Sequence, residues 1–238
     1  MIKHAIVVTS AINSKFGVYS PGERLSQTVD TIASIRKKVP TALIYVMECC
    51  GTPITATQAN MLIGVSNGFI DYSTSEDVQA MYDNDNWDIV KNGTEIMCFS
   101  NALRTLTDTG KFDGVDRIHK MSGRYILNDL FDTETYEQTD VQDKIVIGPK
   151  HKSQFPIEIT QQPLQYMARL WSWPKALNED VIKVYQDSFM FFAERVANGG
   201  YIDIEHVLCK FLPPEHVHEI TNLGVEGCIA PNGQPIKN

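Results

Sequence analysis

The sequence predicts an α/β protein, a mostly parallel sheet flanked by helices, with a largely helical C-terminal part. Three observations predict it. Short β-branched runs of strand length alternate with amphipathic stretches through the first 150 residues. The 238 residues are 43% hydrophobic and 21% charged, enough for one sizeable core and a single domain over 1–238. No apolar run reaches the ~20 residues that a membrane-crossing helix needs.

Each element follows from its own pattern. His4–Thr9 reads as a fully buried strand, and a loop rich in Gly, Ser and Pro (Ser14–Gly22) follows it. Glu23–Lys38 reads as a helix: Leu25, Val29, Ile32 and Ile35 recur at helical spacing. Lys37 and Lys38 sit where the dipole favours cations, and Pro40 stops the helix. Thr41–Met47 is a second strand, which makes a β-α-β unit with a parallel pair. Thr55–Gly64 reads as helix, Phe69–Tyr72 as a short strand and Asp83–Trp87 as a polar loop. Gly93–Thr107 is a second helix, with Ile96, Phe99, Leu103 and Leu106 on one side. Asp116–Met121 alternates as a strand that Ser122-Gly123 ends, and Lys144–Gly148 is another strand. Pro163–Leu170 and Asn178–Asn198 read as helices, the second aromatic at Tyr185, Phe189 and Phe192 and capped by Gly199-Gly200. Asp203–Phe211 reads as helix and Leu223–Ile236 as loop or edge strand.

Charge and cysteines narrow the function. A net charge of −8 disfavours nucleic acid as a partner. Five cysteines without a Cys-x-x-Cys spacing suit a reduced cytoplasmic protein, not a disulfide scaffold or zinc ribbon. The opening residues lack the apolar length and cleavage site of a signal peptide. Neither a Walker loop nor Gly-x-Gly-x-x-Gly follows the first strand, which disfavours a P-loop NTPase and a standard dinucleotide dehydrogenase.

Ligands of open α/β sheets bind outside the carboxyl ends of the strands. Three such ends carry polar groups: Thr9 and Ser10 followed by Glu23-Arg24, then Glu48, then the segment Asp116–Tyr125. Lys120 and Arg124 flank a Ser-Gly turn, and two cations at a strand end suit a diphosphate; the alternative is ion pairing with Asp129 or Asp132. Arg24 opens a helix at its positive end, so it wants an anion, either Glu23 or a phosphate. Glu48 can take a ribose hydroxyl or a base N–H, or cap a turn. Asp203, Glu205 and His206 can supply a base or metal ligands, or only complement a helix dipole. Trp171 and Trp173, with Arg169 and Pro174, form either an apolar wall for a sugar ring or core. Asp83, Asp85 and Asp88 resemble an Asp-x-Asp pattern but follow no apolar strand.

The ordered segments carry a resemblance: Ala5–Ile12, the Arg-x-x-Gln-Thr start of the first helix at Arg24, the strand ending in Glu48, Lys91–Glu95, Lys-x-Ser-Gly-Arg-Tyr at Lys120–Tyr125, Arg169–Ser172 and Asp203–His206. The chain resembles nucleotide-sugar glycosyltransferases of the GT-A type, most of all small members from viruses and bacteria. The resemblance implies a GT-A-like, Rossmann-type sheet, with residues 1–150 as the nucleotide-binding half and 151–238 as a helical acceptor side. It implies a nucleoside-diphosphate sugar as donor and a glycan or other hydroxyl as acceptor. It also implies a cytoplasmic location, that of the host for a viral member. Thr9, Ser10, Arg24 and Glu48 would meet the nucleotide, Lys120 and Arg124 the diphosphate, and Tyr125 and Trp171 the sugar or acceptor. Glu205 or Asp203 would be the base. The family's Asp-x-Asp after the fourth strand is missing, which implies transfer without a divalent metal (Mn or Mg), or a metal held by Asp203 and His206. Two other readings compete. One is a non-catalytic nucleotide- or glycan-binding or virion-associated protein. The other is a nucleotidyltransferase, which would need a Gly-rich loop that Gly17 and Gly22 alone do not make.

Overall fold

A computed structural model describes residues 2–229 and 233–237. Strand β1 (His4–Ser10) leads through helix α1 (Pro21–Lys38) to β2 (Leu43–Glu48), then through α2 (Ala56–Val65) to β3 (Gly68–Asp71). Helices α3 (Glu76–Tyr82) and α4 (Trp87–Asp108) return the chain to β4 (Arg117–Ser122) and β5 (Tyr125–Leu127). The second half runs β6 (Ile145–Ile147), β7 (His151–Lys152), α5 (Ile157–Thr160), β8 (Leu164–Gln165) and β9 (Leu170–Pro174). It ends with α6 (Asn178–Ala197), α7 (Ile204–Phe211), β10 (Val217–Glu219), β11 (Val225–Cys228) and β12 (Pro235–Lys237).

Seven strands form one sheet in the order β10-β6-β9-β4-β1-β2-β3. β1 lies parallel to both neighbours, Ala5–Ser10 against Leu43–Glu48 and His4–Thr9 against Arg117–Ser122. β9 alone runs antiparallel, between β4 and β6. This is a Rossmann-like α/β sheet with helices on both faces. Strand β1 is buried on both sides, which is why it reads as an unbroken apolar run. On one face Val7, Phe99, Leu103, Trp171, Trp173 and Tyr185 pack under α4, α6 and α7. On the other, Ile6, Val8, Ile32, Ile35 and Val46 pack under α1.

Helix α1 starts one turn before the first periodic residue because Ser20 and Glu23 close a capping box with Pro21 at the first position. Helix α4 starts at Trp87, six residues before Gly93, because Asn86 accepts from Asp88 N and Ile89 N. α3, absent from the periodicity reading, is a short helix capped by Ser75.

The helix expected over Pro163–Leu170 does not form. Gln161 takes a left-handed φ of 57° and Pro163 lacks an amide donor, so the turn of α5 ends there. Leu170–Pro174 becomes an inner strand instead, its residues all buried. Trp171 and Trp173 point to one face, their ring centroids 4.6 Å apart, while Leu170 packs in the opposite layer. The tail reading as loop or edge strand becomes β11, which pairs antiparallel with β5, and β12, which pairs antiparallel with β11, in a three-stranded sheet beside α1.

Candidate active site

The chain crosses β1 in opposite directions: β2 and β3 lie on one side of it, β4 on the other. Such a switch point leaves a crevice outside the carboxyl ends of the two strands. A two-lobed cleft opens there, between the ends of β1 and β4 and the first turns of α4 and α7. Trp87, Lys91, Glu95, Ser122 and Arg124 line both lobes and form its waist. The outer lobe is the roomier, about 230 Å³ against about 60 Å³.

The inner lobe is an aromatic slot. The ring of Phe16, on the β1–α1 loop, meets Tyr82 edge-on at 6.5 Å and Trp87 at 5.8 Å. Buried Arg24 holds this loop, its guanidinium donating to the carbonyls of Ala11 (3.2 Å), Phe16 (2.8 Å) and Tyr19 (3.3 Å). Lys15 ties the loop to the end of α3, donating from its amide to Tyr82 Oη (2.8 Å) and from Nζ to the Asn84 carbonyl (3.0 Å). Arg24 therefore lines the lobe but spends its donors on the backbone.

At the waist, the β4–β5 turn presses against the end of β1. Gly123 N donates to Thr9 O at 2.8 Å, and a Cβ on Gly123 would stand 3.0 Å from that oxygen and from Thr28 Oγ1. A side chain there would push the turn, and Arg124 with it, out of the cleft. The cation expected at the strand end, Lys120, is 1% exposed. Its Nζ lies 2.7 Å from Glu95 Oε1 and donates to Ser122 Oγ and the Ala168 carbonyl, both at 2.8 Å. All three ammonium protons have protein acceptors. Lys120 is thus a buried structural cation, a correction to its expected diphosphate contact. The cations left facing both lobes are Lys91 and Arg124. Burial pushes Glu95 up, but Lys120, reinforced by Lys91 and Arg124, outweighs it and holds the carboxyl below its ordinary value.

The outer lobe carries Tyr125, Arg169, Asp203 and Glu205. The guanidinium carbons of Arg124 and Arg169 both lie over the Tyr125 ring, at 5.9 and 5.7 Å. Asp203 caps α7, accepting from His206 N at 2.9 Å, and its Oδ1 also lies 2.5 Å from His206 Nδ1. His206 Nε2 lies 2.8 Å from Ser153 Oγ. This Ser-His-Asp chain is a fastening, not a nucleophile: Ser153 Oγ also accepts from Phe155 N (3.0 Å) and bonds Phe155 O (2.7 Å), and His206 is fully buried. Glu205, adjacent to His206, is pushed up by burial and by the Asp203 charge, against the pull of Lys91.

Of the sequence-predicted residues, the fold gathers Thr9, Ser10, Arg24, Lys120, Arg124, Tyr125, Asp203 and Glu205 around one cleft. Three others fall elsewhere. Glu48 is 1% exposed and accepts from Ser10 Oγ (2.5 Å), Cys50 N (3.0 Å) and Ile12 N (3.2 Å), so it ties two loops from beneath and has no oxygen for a base or ribose. Burial raises its carboxyl to about 7 despite these donors. Trp171 is 1% exposed, in the core, and forms no sugar wall. Both ring nitrogens of His206 are engaged, and Asp203 is its partner. Among the described residues no group of three His, Cys, Asp or Glu is placed to hold a metal ion. The ammonium of Lys120 also stands where the resemblance implies acidic metal ligands, so the residues present do not fit Mn or Mg at either place. Asp129, the bland partner for Lys120 or Arg124, pairs with Lys38 at 2.7 Å.

Sequence reasoning quoted Lys91–Glu95 among the segments of the resemblance but gave neither residue a role, and it missed the aromatic trio. Lys91 and Glu95 stand four apart, on one face of a helix.

No known protein family matches the sequence, and no curated protein matches it. Among solved structures the chain is similar to the crystal structure of 4-diphosphocytidyl-2C-methyl-D-erythritol synthase from Anaerococcus prevotii. The two share 11% identity and a TM-score of 0.45, over 92% of this chain and 86% of that one. Among the described residues no helix is long and apolar enough to cross a membrane.

Proposed function

We propose that the protein is a glycosyltransferase that moves a sugar from a nucleoside-diphosphate donor to an acceptor hydroxyl. The observation that carries this reading is the waist: Lys91 and Arg124 face a two-lobed cleft at the sheet's switch point. A diphosphate fits between two cations there, with the nucleoside against Phe16, Tyr82 and Trp87 in the inner slot. The sugar and acceptor take the roomier outer lobe, beside Tyr125 and Glu205. Glu205, whose proton affinity is raised, removes the acceptor proton; Asp203 is committed to His206 and leaves it that role. Lys91 and Arg124 take up the charge that grows on the departing diphosphate.

The experiment is a turnover panel. UDP-, GDP- and CDP-hexoses are incubated with the protein and release of nucleoside diphosphate is followed. In parallel, each nucleoside triphosphate is mixed with hexose 1-phosphate and pyrophosphate release is followed. The expected result is slow diphosphate release from one donor class and no pyrophosphate. Pyrophosphate release would replace this reading with nucleotidyl transfer. Binding without either release would replace it with a non-catalytic nucleotide-binding role.

A further inference from the structure

Glu95 stands at the waist of the cleft, and the roles above give it no chemical task. It lines both lobes and so faces whatever joins a nucleotide in one to an acceptor in the other. We propose that Glu95 is a catalytic residue of the same transfer, an ionised carboxylate set against the anomeric carbon of the donor sugar. The inference rests on the glycosyltransferase reading and extends it.

Three features support the role. The first is position: Glu95 lies one helical turn after Lys91 on α4 and lines both lobes, so the carboxylate sits beside the diphosphate cations where the two lobes meet. The second is the way it is held. Its Oε1 takes both Lys120 Nζ (2.7 Å) and the Thr9 hydroxyl (3.3 Å), while Oε2 has no donor among the described residues. Lys120, bonded on its other protons to Ser122 and Ala168, cannot swing away to a ligand. A buried ammonium committed to one carboxylate keeps that carboxylate charged and in one rotamer, which is electrostatic preorganisation. The third is contrast with Glu205. The two carboxyls line the same outer lobe, yet Lys120 holds Glu95 below the ordinary carboxylate range, while burial and the Asp203 charge raise the proton affinity of Glu205. Carboxyl pairs whose environments push them apart divide the chemistry between a stabiliser and a proton-transfer group.

In the step itself, the C1–O bond to the diphosphate breaks and its electron pair leaves on the phosphate oxygen, against Lys91 and Arg124. The acceptor oxygen forms the new bond to C1, and its proton passes to Glu205. Glu95 forms no bond. It faces the positive charge that grows at the ring carbon.

The test uses the full chain and release of nucleoside diphosphate from UDP-glucose, UDP-galactose, GDP-mannose and CDP-glucose, with water as acceptor. Two variants are compared with wild type, Glu95→Gln and the pair Glu95→Gln/Lys120→Met, which removes both buried charges and so preserves folding. Turnover is expected to fall on the order of 10²–10³-fold in both. Calorimetry with the matching nucleoside diphosphate is expected to show equal or tighter binding, because a negative charge has left the neighbourhood of the phosphates. Variants that bind the diphosphate and still turn over within about tenfold of wild type would overturn the role of Glu95. A wild type that releases nothing from any donor overturns the glycosyltransferase reading, and this inference with it.

Discussion

Lys120 shows how one side chain decides between a ligand contact and a structural role. A lysine at a strand end beside a Ser-Gly turn suits a phosphate, but here the ammonium is closed off by Glu95, Ser122 and Ala168. Removing one partner of a buried pair leaves the other charged and unpaired, at a cost of about 3–5 kcal/mol, whereas removing both together costs little. Lys120→Met is therefore expected to lower unfolding free energy by that amount in a denaturant titration, and Glu95→Gln/Lys120→Met to restore most of it. Equal stability of the single and double variants would show that the pair is not coupled. None of this is visible in sequence, because the partner of this strand residue lies on helix α4 and the spacing of Lys120 and Arg124 looks the same whether or not the lysine is free. Glu48 and Trp171 each carry two sequence readings for the same reason: both stand at strand positions that face inward, and only the packed sheet selects the turn tie for one and the core for the other.

At the scale of elements, the strands and helices of the first half are legible because each carries its own signal. β1 and β2 are short β-branched runs, and α1 has its periodic apolar face, its basic last turn and the Ser20–Glu23 box. Ser20→Ala is expected to cost about 1 kcal/mol by loss of that cap, read as a shifted unfolding midpoint, with no change in the response to nucleotides. β9 was not legible. Its neighbours β4 and β6 are far away in sequence, and Leu-Trp-Ser-Trp is too short for periodicity to tell strand from helix. The consequence for the site is direct: β9 packs beside β4, and Ser122 N donates to Arg169 O at 2.9 Å, so the strand missed in sequence helps set the edge of the cleft.

For the whole molecule, buried titratable groups at opposite ends of the sheet pull stability in opposite directions. At the amino end, His4 Nδ1 and His119 Nε2 lie 2.9 Å apart, packed on Tyr136 and near Arg117, Asp116 and Glu137. Burial, then Arg117, lowers His4 to about 4, and burial, then His4 and Arg117, takes His119 well below its ordinary value. The unfolded chain binds these protons first, so each histidine costs stability as pH falls from 6.5, and His4 alone accounts for about 3 kcal/mol by pH 4. Glu48 works the other way. Its folded value near 7 lies above that of an unfolded glutamate, so acidification from 7 to 4.5 relieves its burial. One histidine and Glu48 roughly offset, and the second histidine leaves a net loss on acidification. Unfolding titrations at pH 7 and pH 5 are expected to show wild type weaker at pH 5 and Glu48→Gln weaker by a larger margin, since the compensating group is gone. A variant with the same pH slope as wild type would contradict this balance.

On the proposed glycosyltransferase reading, the crevice between the ends of β1 and β4 receives a diphosphate on Lys91 and Arg124. The most direct measurement is thermal unfolding of wild type and Lys91→Ala/Arg124→Ala with UDP, GDP and CDP. Both side chains sit at the cleft surface, so the double variant is expected to unfold at the wild-type midpoint without ligand. At least one diphosphate should raise the wild-type midpoint and leave that of the variant unmoved. A wild type indifferent to all three, or a variant that responds as wild type does, would contradict the proposed diphosphate site.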